Sequence, residues 1–356
     1  MSAADIANSN PSGPNPDGEP LLRIRDLKVG FSAQNRVLPA VRGLSVELSK
    51  GEVLGIVGES GSGKSLGMLA SLGLQARNAV VSGSVVFKGQ ELIGRPRREM
   101  RSLRGSEISM IFQDPLSSLN PVMTVGDQIR EALLLHNKNM SKAKATERVL
   151  ELLQLVAIPQ PDRRINQYPH EFSGGMRQRV MIAMAVANNP ELLVADEPTT
   201  ALDVTVQAQI MTMLRDLKEK MGLALILITH DLGVVAGHAD RVAVIYAGQV
   251  VEEAEVRELF ANPRHPYTRG LIASIPKLTA SKEKLYSIPG APPMLGALPE
   301  GCAFHPRCSF AQDVCRKVSP PTVELGRHRA SCHFAESLPS WDDTSRTAQS
   351  KERSHG

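Results

Sequence analysis

A chain of 356 residues with 42% hydrophobic content can bury a sizeable core and has room for two or three compact units. Its 41 basic and 37 acidic residues leave a formal charge of +4 spread along the chain, so no basic block marks it as a nucleic-acid binder. The longest apolar stretches, such as 222–228 and 180–187, are far shorter than the about 20 residues that cross a bilayer. The N-terminus lacks the basic start and apolar run of a signal peptide, which places the chain in the cytoplasm.

Residues 1–20, rich in Ser, Asn, Pro and Gly, read as a disordered tail. Strand patterning follows over 21–29 and 41–48 and ends at the Lys50-Gly51 turn. Phe31 lies between them, where an aromatic ring either stacks on adenine or joins a core. The apolar run Val53-Leu54-Gly55-Ile56-Val57 suits a buried strand, and it leads into Gly58-Glu59-Ser60-Gly61-Ser62-Gly63-Lys64-Ser65. This is the pattern of a phosphate-binding loop. Its glycines let backbone N–H groups curl around phosphate oxygens, Lys64 brings a mobile positive charge, and the Ser65 hydroxyl can ligate magnesium. Residues 66–74 can continue as a helix whose N-terminus faces the phosphates.

Downstream, 84–87 with Lys88-Gly89 suggests a hairpin edge, and 95–104 is a basic helical surface. Met110-Ile111-Phe112 reads as a strand that stops at Gln113-Asp114-Pro115; 116–125 reads as a loop and 125–135 as a helix. A further helix over 141–155 is opened by a serine cap. This section, about 95–175, looks like a helical subdomain inserted into an α/β core. Ser173-Gly174-Gly175 then precedes a long apolar-periodic helix, a second N-terminus able to meet an anion. The buried-type strand 192–195 ends in Asp196-Glu197, two acids suited to a magnesium site and a water-polarising base, although an exposed turn would use acids there too. Another apolar strand, 223–228, delivers Thr229-His230-Asp231.

Taken in order over about 21–255, these motifs resemble the ATP-binding subunit of an ABC transporter. The resemblance implies a P-loop NTPase fold: a RecA-like α/β core with an antiparallel β subdomain and an inserted helical subdomain. It implies Lys64 on the β- and γ-phosphates, Ser65 and Asp196 on Mg2+, Glu197 as general base, and Gln113 sensing metal and attacking water. By the same resemblance His230 contacts the γ-phosphate, Phe31 stands where the adenine-stacking aromatic stands, and Asp203, from Thr200-Ala201-Leu202-Asp203, lies at a dimer seam. Ser173, Gly174 and Gly175 form the signature that closes on ATP held by the opposite subunit. Two departures, Phe172 for the usual Leu and Met176 for the usual Gln, leave those phosphate-binding parts in place.

Arg264-His265-Pro266-Tyr267-Thr268, the run 271–276 and a Pro/Gly-rich connector over 288–299 resemble the oligopeptide/dipeptide and nickel importers. That resemblance implies import of short peptides by a peripheral ATPase on the cytoplasmic face of the inner membrane. A paralogous ATPase as heterodimer partner, two permease subunits and an extracytoplasmic substrate-binding protein are implied with it, and no nucleic acid. Permease contact is expected over 114–124. Nickel chelate or haem as cargo, or a soluble ABC ATPase acting on ribosomes or DNA, are the competing readings. Cys302, Cys308, Cys315 and Cys332 are all the cysteines of the chain and fall in one segment, 256–335, with five, six and sixteen residues between neighbours. Stable disulfides are disfavoured in the cytoplasm. The lack of a closely spaced pair favours an iron–sulfur cluster over zinc, with reduced buried thiols as a third possibility, and the subfamily resemblance implies [4Fe–4S]. Residues 336–356 read as a second polar tail.

Overall fold

A computed structural model describes residues 19–33, 36–200, 202–275 and 286–341. Of the tails expected over 1–20 and 336–356, residues 1–18 and 342–356 lie outside the described residues, and so do Ala201 and Pro276.

Two long strands, β1 (Leu22–Ala33) and β2 (Arg36–Leu48), pair antiparallel. Each runs further than its apolar pattern suggested, because antiparallel pairing satisfies backbone groups whatever the side chains. Phe31 is therefore inside β1, opposite Leu38 and Ala79. β3 (Val53–Val57) and α1 (Lys64–Ser71) flank the glycine-rich loop, and β4 (Ala79–Phe87) and β5 (Gln90–Glu91) complete a four-stranded sheet in the order β2-β1-β4-β5.

The middle of the chain is helical: α2 (Arg97–Leu103), the strand β6 (Ile108–Ile111), α3 (Pro115–Ser118), α4 (Val125–His136), α5 (Lys142–Leu155) and α6 (Pro161–Arg164). Part of the stretch read as loop over 116–125 is thus the single turn α3; four residues are too few to show helical periodicity. Ser141 caps α5 as expected, accepting from the Lys144 amide. The rest alternates: α7 (Gly174–Val186), β7 (Leu192–Asp196), α8 (Val204–Met221), β8 (Ala224–Thr229), α9 (Leu232–Ala236), β9 (Arg241–Tyr246) and β10 (Gln249–Glu255). The C-terminal part holds α10 (Val256–Ala261), α11 (Pro266–Ala273), α12 (Asp313–Lys317), β11 (Thr322–Leu325) and β12 (His328–Ser331).

Eight described strands form one sheet in the order β11-β12-β10-β9-β3-β8-β7-β6. Its middle is parallel, and β3, β7 and β8 are buried at every residue, the unbroken apolar runs that a sheet covered on both faces demands. Successive side chains point to opposite faces. Val57, Leu193, Leu225 and Val242 join one core with α4, α5, α7 and α8, while Ile56, Val194, Ile226 and Ala243 join the other with α1 and the four-stranded sheet. Each such Val, Leu or Ile side chain contributes on the order of 1.5–3 kcal/mol of burial.

The structure joins the last expected segment to the core and shifts one boundary. The segment 256–335 is not a separate appendage, because β12 pairs antiparallel with β10 and extends the central sheet. Across that seam Glu252 meets His328 at 2.7 Å and Glu253 accepts from Arg329 Nε at 2.9 Å, with both glutamates buried. Nor does a free tail begin at 336. Leu338 is buried, Arg269 donates to the Pro339 carbonyl (2.8 Å), and its guanidinium lies 5.7 Å from the Trp341 ring centre. Leu338 and Trp341 stand among Glu336, Ser337, Pro339 and Ser340 and so carry little compositional signal, yet with the Pro339 carbonyl they tie this stretch down.

Candidate nucleotide site

The loop after β3 needs its glycines for distinct reasons. A Cβ on Gly58 would stand 2.2 Å from the Ile245 carbonyl oxygen, so the backbone approach excludes any side chain. Gly61 and Gly63 have φ of 76° and 95°, the left-handed region that glycine enters without strain. No side chain caps α1, which starts at Lys64. Its first amides are left to an external acceptor. Lys64 folds back over the loop, donating to the carbonyls of Gly58 (2.7 Å) and Glu59 (2.9 Å). Burial lowers its pKa, against the raising charges of Glu197, Asp196 and Glu59. The Ser62 hydroxyl is buried without a partner among the described residues, as a group awaiting an oxygen ligand would be, and Ser60 is exposed at the loop tip.

The acids at the end of β7 converge on this loop. Ser65 Oγ donates to Asp196 Oδ1 at 2.7 Å. Burial is the chief cause that raises the Asp196 pKa, with the Ser65 hydrogen bond opposing it. A buried carboxylate and a hydroxyl side by side are the oxygen donors a hard divalent cation takes, so the pair fits Mg2+. Glu197 turns the chain at φ 46° while its amide donates to the Ile228 carbonyl (2.9 Å). Its carboxylate accepts from Gln113 Nε2 (2.9 Å) and Thr200 Oγ1 (2.8 Å), and His230 Nδ1 lies 3.3 Å from the other oxygen. Burial acts to raise the Glu197 pKa, but the bonds from Thr200 and His230 and the charges of His230 and Lys64 outweigh it and hold the carboxyl below its usual range. Lys64, Ser65, Gln113, Asp196, Glu197 and His230 are thus one constellation drawn from four strand ends.

The structure keeps the signature apart from it. Ser173 caps α7 by accepting from the Met176 amide (3.4 Å), and Asp203 caps α8 by accepting from the Val206 amide (3.0 Å). Ser173 and Gly174 are exposed, and Gly175 has no room for a Cβ, which would lie 2.6 Å from Val206. Among the described residues no hydrogen bond joins Ser173, Gly174, Gly175 or Asp203 to the Lys64 group. Phe172 is buried, with the Arg164 guanidinium 5.6 Å from its ring centre. Phe31 is half-buried on the four-stranded sheet.

Cys302, Cys308, Cys315 and Cys332 line one small pocket together with Phe304 and His333. All four are free thiols. Burial raises the Cys302 thiol, pushes Cys308 up to about 12 and pushes Cys332 up to about 11, which favours the protonated form. Among the described residues no group of three or more His, Cys, Asp or Glu is arranged to hold a metal ion. The expected four-thiolate site is therefore met in proximity and not in coordination geometry. The donor set suits a soft metal; the arrangement is that of packed thiols in which burial outweighs the charge that Arg42 sets against Cys302.

Comparison with known proteins follows the same division. The family described as ABC transporter matches residues 41–200, and the family described as oligopeptide/dipeptide transporter, C-terminal region, matches 251–315. The chain is 52% identical over 320 residues to the oligopeptide transport ATP-binding protein OppD of Escherichia coli (strain K12), covering 89% of this chain and 94% of that protein. The chain belongs to the ABC transporter ATP-binding proteins of the oligopeptide/dipeptide type. The dipeptide transport ATP-binding protein DppD of Lactococcus lactis subsp. cremoris (strain MG1363) is 51% identical over 319 residues, 89% of this chain and 90% of its own. A dimeric post-hydrolysis ATP-binding cassette bound to ADP and Pi superposes with a TM-score of 0.60 at 28% identity, over 66% of this chain and 99% of that one.

Within this ABC ATP-binding protein three functional contacts escape motif reading. Thr200 holds Glu197, Tyr267 accepts from the Glu59 amide (2.8 Å), and Arg307 grips the Glu59 carboxylate. Thr200 and Tyr267 stood inside recognised motifs without a role. Arg307 lies 248 residues from its partner, and its only trace in the sequence is Glu59 itself, an acid in an anion-binding loop that calls for a counter-charge.

Proposed function

We propose that this chain hydrolyses ATP to energise the import of short peptides, as one of two ATPase subunits at the cytoplasmic face of the inner membrane. The observation that carries the hydrolytic part is Glu197, ionised and held by Gln113, Thr200 and His230 beside the phosphate loop. Lys64 and the loop amides from Gly58 to Ser65 take the β- and γ-phosphates, and Ser65 with Asp196 would hold Mg2+. When bound, that ion supplies charge neutralisation for the phosphate oxygens. Glu197 accepts the proton of the attacking water, Gln113 orients that water, and His230 reads the γ-phosphate. Phe31 lies against adenine.

Since Ser173 and Asp203 stand apart from the Lys64 group, a second subunit is needed to close the site, its signature over this chain's nucleotide and the reverse. The dimeric state of the similar solved cassette supports that arrangement. We take the partner to be a paralogue, the assembly to include two permeases and an extracytoplasmic binding protein, and the contact with the permeases to run over 114–124. No described helix is long and apolar enough to cross a membrane, so attachment falls to such partners. The names of the relatives and the matched C-terminal family support peptide as cargo. The four thiols are candidate ligands of a [4Fe–4S] cluster, supported by their gathering at one pocket.

The test is a mild-detergent pull-down of the tagged full chain from its native membranes, with mass spectrometry of its companions. Recovery of two permeases and a second, similar ATPase is the expected result; ribosomal or DNA-repair proteins without a permease would overturn the transport reading.

A further inference from the structure

The phosphate loop contains one acid, Glu59, beside the glycines that are to receive a polyphosphate. A carboxylate there repels the incoming anion unless its charge is cancelled. Arg307 does so in bidentate fashion: Nη1 donates to Oε2 at 2.6 Å and Nη2 to Oε1 at 2.8 Å. Such a fork fixes the plane of the carboxylate as well as its charge. The guanidinium is itself immobilised. Its side chain is 4% exposed, its Nε donates to the Pro289 carbonyl (2.9 Å), and it lies 5.8 Å from the ring centres of both Tyr246 and Phe304.

Glu59 is also fastened through its backbone. Its amide donates to the Tyr267 hydroxyl at 2.8 Å, and its carbonyl accepts from Lys64 at 2.9 Å. Of the three side chains that anchor this one loop residue, two come from the C-terminal region and the third is the lysine that is to meet phosphate; within the loop the Ser62 amide also donates to its carbonyl (3.2 Å). Tyr246, Tyr267 and Phe304 pack ring against ring around the guanidinium, with centroids 4.7 to 5.4 Å apart. That aromatic cluster covers the guanidinium on its Tyr246 and Phe304 sides.

We propose that Arg307 and Tyr267 are positioning residues for nucleotide binding: Arg307 neutralises the Glu59 carboxylate and holds it away from the phosphates, and Tyr267 fixes the Glu59 amide. The docked C-terminal region thereby sets the affinity of the phosphate loop. This rests on the reading of the loop as the ATP site.

The experiment measures MgATP and MgADP binding to the full-length chain by titration calorimetry for Arg307→Met, Glu59→Gln and the double variant. Stranding the Glu59 charge weakens MgATP binding by about tenfold and MgADP by less, since the repulsion grows with ligand charge. Removing the acid as well, in E59Q/R307M, returns MgATP to within about twofold of the starting value. Unchanged MgATP binding in R307M, equal losses for the two nucleotides, or a double variant no better than R307M would each overturn the proposal, because a mere structural staple is not repaired by deleting its second half. Should R307M fail to fold, R307Q and E59Q/R307Q, which keep a polar side chain but no cation at the position, carry the same comparison and the same expected outcomes. Tyr267→Phe raises KM for ATP about threefold at unchanged kcat; an unchanged KM removes Tyr267 from the scheme. Lys64→Ala serves as the separate control: if it binds MgATP normally, the nucleotide site itself is misassigned whatever Arg307 does.

Discussion

The nucleotide face and the thiol pocket are built on opposite principles. At the nucleotide face the charged groups are satisfied in advance: Lys64 by carbonyls, Asp196 by Ser65, Glu197 by Gln113, Thr200 and His230. In the thiol pocket burial suppresses charge, with Cys308 and Cys332 pushed up to about 12 and about 11. One region holds ionised groups poised for a charged ligand, and the other keeps reactive groups neutral until something draws protons from them. Charge at the nucleotide face is therefore held at strand ends and loops, and Arg307 is where the C-terminal region reaches into it.

The sharpest way to break this contrast is Glu197→Gln, which keeps the shape of the acceptor and removes the base. Turnover falls by about 10²-fold or more with ATP binding retained; turnover within a few-fold of the original would strip Glu197 of its role. Next is Gly58→Ala, whose methyl meets the Ile245 carbonyl and forces the loop to move. A loss of about 1–3 kcal/mol in denaturant unfolding is expected, together with weaker nucleotide binding.

On the thiol side, the proposed cluster predicts iron in the purified parent chain and its loss in Cys308→Ser, with MgATP still bound. Normal iron content in the variant would refute the cluster assignment. The smallest effects concern pH. Because the Glu197 carboxyl is held below its usual range, the acid limb of the kcat profile lies below that of an ordinary glutamate, and Thr200→Ala moves it upward. His265, wholly buried, is depressed to about 3. The unfolded chain then binds a proton the folded one refuses, so this contribution is complete above the unfolded value of about 6.5 and is lost as pH falls from there toward about 3. Urea midpoints of the parent and His265→Asn that decline in parallel over that window would show that His265 is not responsible.

Legibility in the sequence followed the range of the interactions. The phosphate loop, the acids after β7 and the serine caps of α5 and α7 depend on neighbours a few residues away, and local residue types betray them. The apolar runs of β3, β7 and β8 likewise announce strands buried on both faces. What stayed hidden is what the sheet assembles from a distance: β12 joining β10, Arg307 on Glu59, and Arg269 holding 339–341. The cysteines stood between these cases. Composition marked their segment, but spacing alone did not decide between packed thiols and ligands, and the pocket brings them together without ordering them around a point.

The pairing of β12 with β10 has a meaning for the chain while it is being made. Until 328–331 emerge, β10 is the open rim of a nearly finished sheet, an invitation to any other strand. Glu253 already meets Arg241 of β9 and Glu252 accepts from the Arg264 and His265 amides, yet both lack their β12 partners on that rim, where two carboxylates disfavour a like strand from another chain. Only β12 carries His328 and Arg329 at the right register to accept them. The two carboxylates that disfavour a foreign strand on that rim become, once β12 pairs with β10, the acceptors that hold His328 and Arg329.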